Sequence, residues 1–169
     1  MEINNLHGLL VLKLKSLLDV ERQLVKSVPK MAKKANDEEL AKALDAHLEE
    51  TRGHVERLEQ AFKIMDIPAR TITVEGIRGI IEDTEWVMKN VEGPEALDAA
   101  LLAAAQYIEH YEVAGYRTMS EWAQVLGYDE IAVLMQQTLQ EEEKSIEDLS
   151  NLAKAKINGK AVAFIDSTG

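Results

Sequence analysis

An all-α bundle of four long helices follows from three observations on this 169-residue chain. Only three prolines and nine glycines punctuate it. The stretches between them are rich in Ala, Leu, Glu, Lys and Gln, which favour the helix. The breaks come in the order short, long, short, which makes two antiparallel hairpins joined by a crossover.

The first helix is predicted over about residues 3–34. Leu10, Leu14, Leu17, Leu18, Leu24, Val25, Val28 and Met31 recur in steps of three and four. Pro29 lies inside this pattern and should bend the helix or end its regular part. Ala35-Asn36-Asp37 breaks it, with Asn36 as the expected N-cap of the second helix and Glu39 three residues on. That helix runs to about Met65, its apolar face being Leu40, Leu44, Leu48, Val55, Leu58 and Phe62. Asp66-Ile67-Pro68-Ala69 ends it, and the β-branched Thr71–Val74 should be extended. A shorter helix is expected at about 75–91, with Ile77, Ile80, Ile81, Val87 and Val91 on its apolar side. Glu92-Gly93-Pro94 stops it and starts the third long helix, about 95–125, Pro94 suiting a first turn. Gly127-Tyr128-Asp129 is a tight turn with Asp129 as the expected cap. The fourth long helix runs to about Lys156. Residues 1–156 therefore form one domain, and 157–169 a C-terminal tail, loose or ordered by a partner. Two antiparallel hairpins with a crossover of nearly thirty residues carrying an extra short helix describe the ferritin-like four-helix bundle.

Composition limits the function. Thirty acidic side chains stand against 19 Lys and Arg, a formal net charge of −11. This opposes sequence-independent nucleic-acid binding and docking to anionic lipid. There is no cysteine, which removes disulfides, thiolate metal sites and thiol catalysis. The apolar stretch Leu6–Leu18 is interrupted by Lys13 and Lys15 and does not read as a signal peptide. No run approaches the roughly 18 apolar residues of a membrane span. The expected location is the cytoplasm.

Five carboxylates fall on inward stripes. Glu21 continues Leu14, Leu17, Leu24 and Val28. Glu50 lies between His47 and His54 on a stripe from Ala43. Glu109 and Glu112 align with Leu102, Ala105, Tyr116 and Met119. Glu142 aligns with Met135, Thr138, Ser145, Leu149 and Leu152. Depth agrees with phase. Glu21 and Glu50 each lie about 13 residues, roughly 20 Å, from the first turn, and Glu112 and Glu142 about 14 from the second. Five carboxylates in one core layer, with no Lys or Arg among the inward positions, cannot all stay ionised without cations. Two divalent ions would compensate them, bringing the formal charge from −11 to −7. Hard oxygen donors with imidazole from His47 or His54 suit iron or manganese. In Glu141-Glu142-Glu143 only Glu142 is aimed inward. Tyr107, Tyr111 and Tyr116 read as packing and hydrogen-bonding groups.

Several segments carry a family likeness: DVERQL around Glu21, AHLEETRGHVERLE at 46–59, AAAQYIEHYEVAGY at 103–116, then LGYDE and LQEEE. Jointly and in this order, and over nearly the whole chain except the tail, they resemble the bacterial YciF and YciE family of small ferritin-like stress proteins. The resemblance implies rubrerythrin-like metal ligation, a homodimer and a cytoplasmic role in stress response. It places the family's acidic core positions on Glu21, Glu50, Glu109, Glu112 and Glu142. The chain departs from the wider ferritin-like pattern Glu-x-x-His: three residues after Glu50 stands Gly53, and three after Glu142 stands Ser145. The second half-site is thus expected to lack a nitrogen ligand.

Two readings of function follow. One is a metal-binding stress protein with an iron or manganese pair, acting on peroxide or ferrous iron. The other is a non-enzymatic bundle acting through dimerisation or partner contact, for which Ile131 and Val133 are candidate interface positions. Iron storage in a cage is a weaker third reading, since no cage-packing surface is identifiable.

Overall fold

A computed structural model describes residues 3–162. Asn5 opens α1 (Leu6–Lys34), its side chain accepting the Gly8 N–H at 2.8 Å. The helix passes Pro29 without ending. Its buried face from Leu10 to Met31 is the stripe read from the sequence, with Glu21 in the middle. Helix α2 spans Glu38–Ile64 and closes the first hairpin. Its cap is Asp37 rather than Asn36: the Asp37 side chain accepts the Glu39 and Leu40 N–H groups. Tertiary partners decide between the two neighbours. The Asn36 and Asp37 N–H groups donate to the Asp98 carboxylate at 2.7 and 2.9 Å, and this holds the turn one residue further along.

Asp66, at φ 51, turns the chain out of α2. The crossover runs back along α1, where Asp19 accepts the Val74 N–H at 2.9 Å. Its extended segment 71–74 forms no strand, and α3 follows at Glu75–Asn90. Gly93, at φ 94, and Pro94 start α4 (Pro94–Val125). Gly127, at φ 77, allows the tight second turn. Asp129 is the first residue of α5 (Asp129–Leu152), not its cap; Tyr128 holds the cap position. The Tyr128 hydroxyl lies 3.2 Å from His7 Nδ1, which ties this turn to the start of α1. Helix α1 packs on α2 and α4, and α5 packs on α4 and α2, so the four long helices form the square of a ferritin-like bundle with α3 against α1 and α4. No helix among the described residues is long and apolar enough to cross a membrane.

The segment expected to be a tail from 157 is helical as far as it is described. After α5 a single π-turn, Ala153–Ile157, leads into α6 (Asn158–Val162). Ile157 is buried in the core. Lys156 and Lys160 reach Asp37 at 2.9 and 2.8 Å, which pins this end to the first hairpin turn. Residues 163–169 lie outside the described part. Of the two positions read as interface candidates, Ile131 is fully buried within the bundle and Val133 is exposed.

The core is divided. One apolar cluster contains Leu24, Met31, Leu40, Leu101 and Ile108; the other contains Leu10, Leu14, Leu58, Phe62, Met119 and Met135. Between them the chain places a polar layer.

Removing the Asp98 carboxylate should orphan two backbone donors at the turn. Asp98→Ala is expected to lose about 1–3 kcal/mol, read by urea denaturation. Asp37 gives this end an acid dependence. Against the penalty of burial, Lys160, Lys156 and the first N–H groups of α2 hold its carboxyl well below the usual range. A depressed folded pKa contributes stability that is present above the unfolded value and is lost as pH falls below it. Acid unfolding below about pH 4 should therefore be less steep in Asp37→Asn than in the parent chain.

Candidate metal centre

Each long helix delivers its part of the polar layer at mid-height. Helix α1 brings Glu21, α2 brings His47, Thr51 and His54, α4 brings Glu109, Glu112 and Tyr116, and α5 brings Thr138, Glu142 and Ser145. Gly115 allows the approach of α4 to α1: a Cβ there would stand 2.8 Å from Leu17 Cδ2. The next residue, Tyr116, then reaches Glu21, one turn beyond Leu17, and its hydroxyl donates to Glu21 Oε1.

The ionisable side chains form two joined groups. In Glu21, His54 and Glu112, and again in His47, Glu109 and Glu142, one ligand atom from each residue lies within 4.8 Å of the others. His47 Nδ1 is 3.2 Å from Glu109 Oε1, and His54 Nδ1 is 3.6 Å from Glu21 Oε1. Cross-contacts link the groups: His54 Nδ1 to Glu142 Oε1 at 3.1 Å, and His47 Nε2 to Glu112 Oε2 at 3.9 Å. Ser145 Oγ donates to Glu109 Oε1 at 2.5 Å. All six residues are at least 94% buried, yet most of their polar atoms have no aligned hydrogen-bond partner. Both oxygens of Glu112 and Glu142, Oε2 of Glu21 and Glu109, both nitrogens of His47 and Nδ1 of His54 are unpartnered. Among the described residues, these nine are the complete set of such buried side-chain atoms.

The electrostatics follow from the geometry. Burial, then the charges of Glu21 and Glu109, pushes the Glu112 carboxyl well above the usual range. Burial, then Glu112, does the same to Glu142. Burial and the nearby carboxylates also raise the Tyr116 phenol, so it stays protonated and donates. Burial opposes charge on His54, but Glu21 and Glu141 outweigh it and raise its pKa. No Lys or Arg is buried among the described residues to balance four carboxylates. Without cations the layer takes up protons; two divalent ions would carry the matching +4. The donor set fits such ions. Carboxylate oxygens are hard ligands, each group adds one imidazole, and the orphaned atoms of both groups converge.

The structure brings together six of the seven residues singled out from the sequence: Glu21, Glu109, Glu112, Glu142, His47 and His54. The seventh, Glu50, is exposed and belongs to neither group, although partial burial raises its carboxyl pKa and it feels the charges of His47, Glu141, His54 and Glu109. Thr51 takes the inward place between the two histidines, fully buried, with its hydroxyl donating to His47 O at 2.8 Å. Glu50 precedes it by one residue, about 100° around the helix. The expectation that the second group lacks nitrogen is also corrected: α2 supplies one imidazole to each group. Glu141, expected with Glu143 on the outward side of α5, is only partly exposed. Its carboxylate holds His54 Nε2 at 2.9 Å and receives both arms of Arg57 at 2.6 Å. Against the penalty of partial burial, Arg57 and His54 hold this carboxyl below the usual range. Arg57 lies three residues after His54, one turn along the same face; that spacing was the available signal.

Comparison with known proteins agrees with this architecture. Escherichia coli YciF is 35% identical over 162 residues, covering 95% of this chain and 98% of that protein. The crystal structure of YciF, described as an E. coli stress protein, superposes with a TM-score of 0.88 at 34% identity, covering 92% of this chain and 99% of the other. YcfI of Rhodopseudomonas palustris, proposed to be a structural protein, gives a TM-score of 0.86 at 34% identity, covering 88% and 95%. A Xanthomonas campestris protein, at 21% identity and a TM-score of 0.75 over 95% and 97% of the two chains, shares the fold. The model of the family described as a domain of unknown function, DUF892, matches residues 5–162, and the chain belongs to that family.

Proposed function

We propose that this protein is a cytoplasmic metal-binding stress protein whose polar layer holds two divalent ions, iron or manganese. One observation carries the reading: nine buried, unpartnered donor atoms in two joined groups, with no buried Lys or Arg among the described residues to balance them. Native interiors leave few such atoms, because each costs about 1–3 kcal/mol when orphaned. Glu21, His54 and Glu112 would hold one ion, and His47, Glu109 and Glu142 the other. Bound iron or manganese supplies one-electron redox change, suited to peroxide or ferrous iron as substrate. The protein's own groups set the surroundings. Tyr116 keeps a proton directed at Glu21 Oε1, Ser145 orients Glu109, and the two apolar clusters exclude water from above and below.

A second reading, a structural bundle acting as a homodimer, has its own support. An apolar groove between α3 and α4 is lined by Ile80, Val87, Ala100, Ala103 and Tyr107, with Tyr107 and nearby Trp86 about two-thirds exposed. A second copy seated there would cover both rings. Light scattering on the purified protein tests the dimer. Peroxide consumption above that of free Fe(II) separates redox activity from a scaffold.

Elemental analysis of protein purified without chelator should find one to two Fe or Mn per chain, and failure to bind Fe(II) on anaerobic reconstitution would overturn the metal reading. A ligand present at about 100 times its Kd adds about 2.7 kcal/mol. Saturating Mn(II) should therefore raise the melting temperature by roughly 5–10 °C for a chain of this size.

The raised carboxyls give the metal-free protein a pH dependence of opposite sign to that of Asp37. The native state holds protons that the unfolded chain releases above about pH 4.5, so stability should fall from pH 5 to pH 8. Thermal melts in chelator check the slope. In Glu112→Gln/Glu142→Gln the slope should flatten, metal-free stability should rise, and at least one metal equivalent should be lost.

A further inference from the structure

We propose that Glu141, clamped by Arg57, positions the His54 ring so that Nδ1 faces the metal layer, and that this makes the Glu21–His54–Glu112 position the tighter of the two. The inference rests on the two-ion reading above and assigns roles to residues outside the six candidate ligands.

The geometry begins at the surface and runs inward. The Arg57 side chain, 23% exposed, lies flat against Glu141, with Nη1 to Oε2 and Nη2 to Oε1 both at 2.6 Å. A third hydrogen bond fixes the guanidinium: Nη1 donates to Thr138 Oγ1 at 2.9 Å. A carboxylate engaged on both oxygens by arginine only accepts. Glu141 Oε2 lies 2.9 Å from His54 Nε2, so the ring must carry its hydrogen on that nitrogen. That leaves Nδ1 as the donor atom. It is buried, lacks an aligned partner, and lies between Glu142 Oε1 at 3.1 Å and Glu21 Oε1 at 3.6 Å. The Tyr116 ring meets His54 edge-on, with centroids 5.9 Å apart, and limits rotation from the other side. Arginine, carboxylate and imidazole thus form a rigid chain ending in one ligand atom.

His47 has no such support. Both of its ring nitrogens lack an aligned hydrogen-bond partner, and Glu50, the carboxylate outside the layer that feels the charge of His47, makes no hydrogen bond to it. Its tautomer and ring angle are not set by hydrogen bonding, so a cation at that position must pay for ordering the ring. Partners that orient a ligating histidine are typically worth about 10–100-fold in metal affinity. An asymmetry of that size is expected between the two positions.

Stepwise titration of wild-type protein with Mn(II) against a competing chelator should resolve two equivalents of unequal affinity. Glu141→Ala should weaken the tighter equivalent about 10–100-fold and leave the other within about threefold. Arg57→Met should weaken the same equivalent by less, and add no more than about twofold in the Glu141→Ala background, because Arg57 acts through Glu141. Imidazole 15N spectra of Zn(II)-loaded wild-type protein should place zinc on His54 Nδ1 and hydrogen on Nε2; this readout needs no variant to fold. The proposal is overturned if Glu141→Ala leaves both affinities within twofold, if both equivalents weaken alike, or if zinc sits on Nε2. Absence of any bound cation in the wild-type protein instead overturns the two-ion reading itself.

Discussion

Four carboxylates and two imidazoles share one buried layer, and the rest of the architecture follows from holding them there. Each is almost fully screened from water, and among the described residues their only hydroxyl donors are Tyr116 and Ser145. Such a layer costs several kcal/mol in a chain without cations. What offsets it is the apolar packing on either side. Leu10, Leu14, Leu24, Leu40, Leu58 and Leu101 are each fully buried, and each contributes about 1.5–3 kcal/mol. The bundle can therefore carry a destabilising belt at its waist. The belt in turn sets register, since sliding one helix by a turn would move a carboxylate into one of the apolar clusters.

The ends of the bundle show how that register is kept. Asp98 on α4 grips the α1–α2 turn, while Asp37 in that turn grips Lys156 and Lys160 beyond α5. Three parts of the chain, distant in sequence, meet at one end and fix the relative height of the two hairpins. At mid-height the Gly115–Leu17 approach fixes the spacing of α1 and α4. Level and spacing together decide whether donor atoms lie within 4.8 Å or merely share a face.

Most of the layer was legible because burial and helical phase speak in the same period. Glu21, Glu109, Glu112 and Glu142 interrupt apolar stripes, and their distances from two short turns gave a common depth. Glu50 misled because it is flanked by His47 and His54; the competing inward residue was Thr51, whose small hydroxyl can satisfy itself on its own helix. The caps were misread by one residue each. Asn and Asp differ little in capping energy, and the contacts with Asp98 decide between Asn36 and Asp37; Tyr128 holds its cap position without a side-chain cap bond. The Arg57–Glu141 clamp spans two helices, so the spacing of His54 and Arg57 along α2 marks one half of it and no period marks the partner on α5. Ile157 continues Leu149 and Ala153 in steps of four, but Gly159 two residues on reads as a break and hides that continuation.

Both nitrogen donors come from one helix, and this sets the character of the centre. His47 and His54 are seven residues apart, two turns or about 10 Å along α2. They approach the layer from its two ends, with Glu112 and Glu142 between them reaching toward both. In the wider ferritin-like pattern the histidines sit on different helices and the half-sites are alike. Here α1 gives its carboxylate to the His54 end, Glu112 and Glu142 serve both ends, and among the described residues only the His54 end has an arginine-backed carboxylate behind its imidazole. An inherently lopsided centre follows from the placement of two histidines on α2. A local change on that helix alters both positions, whereas a change on α1 or in the Glu141 clamp alters one.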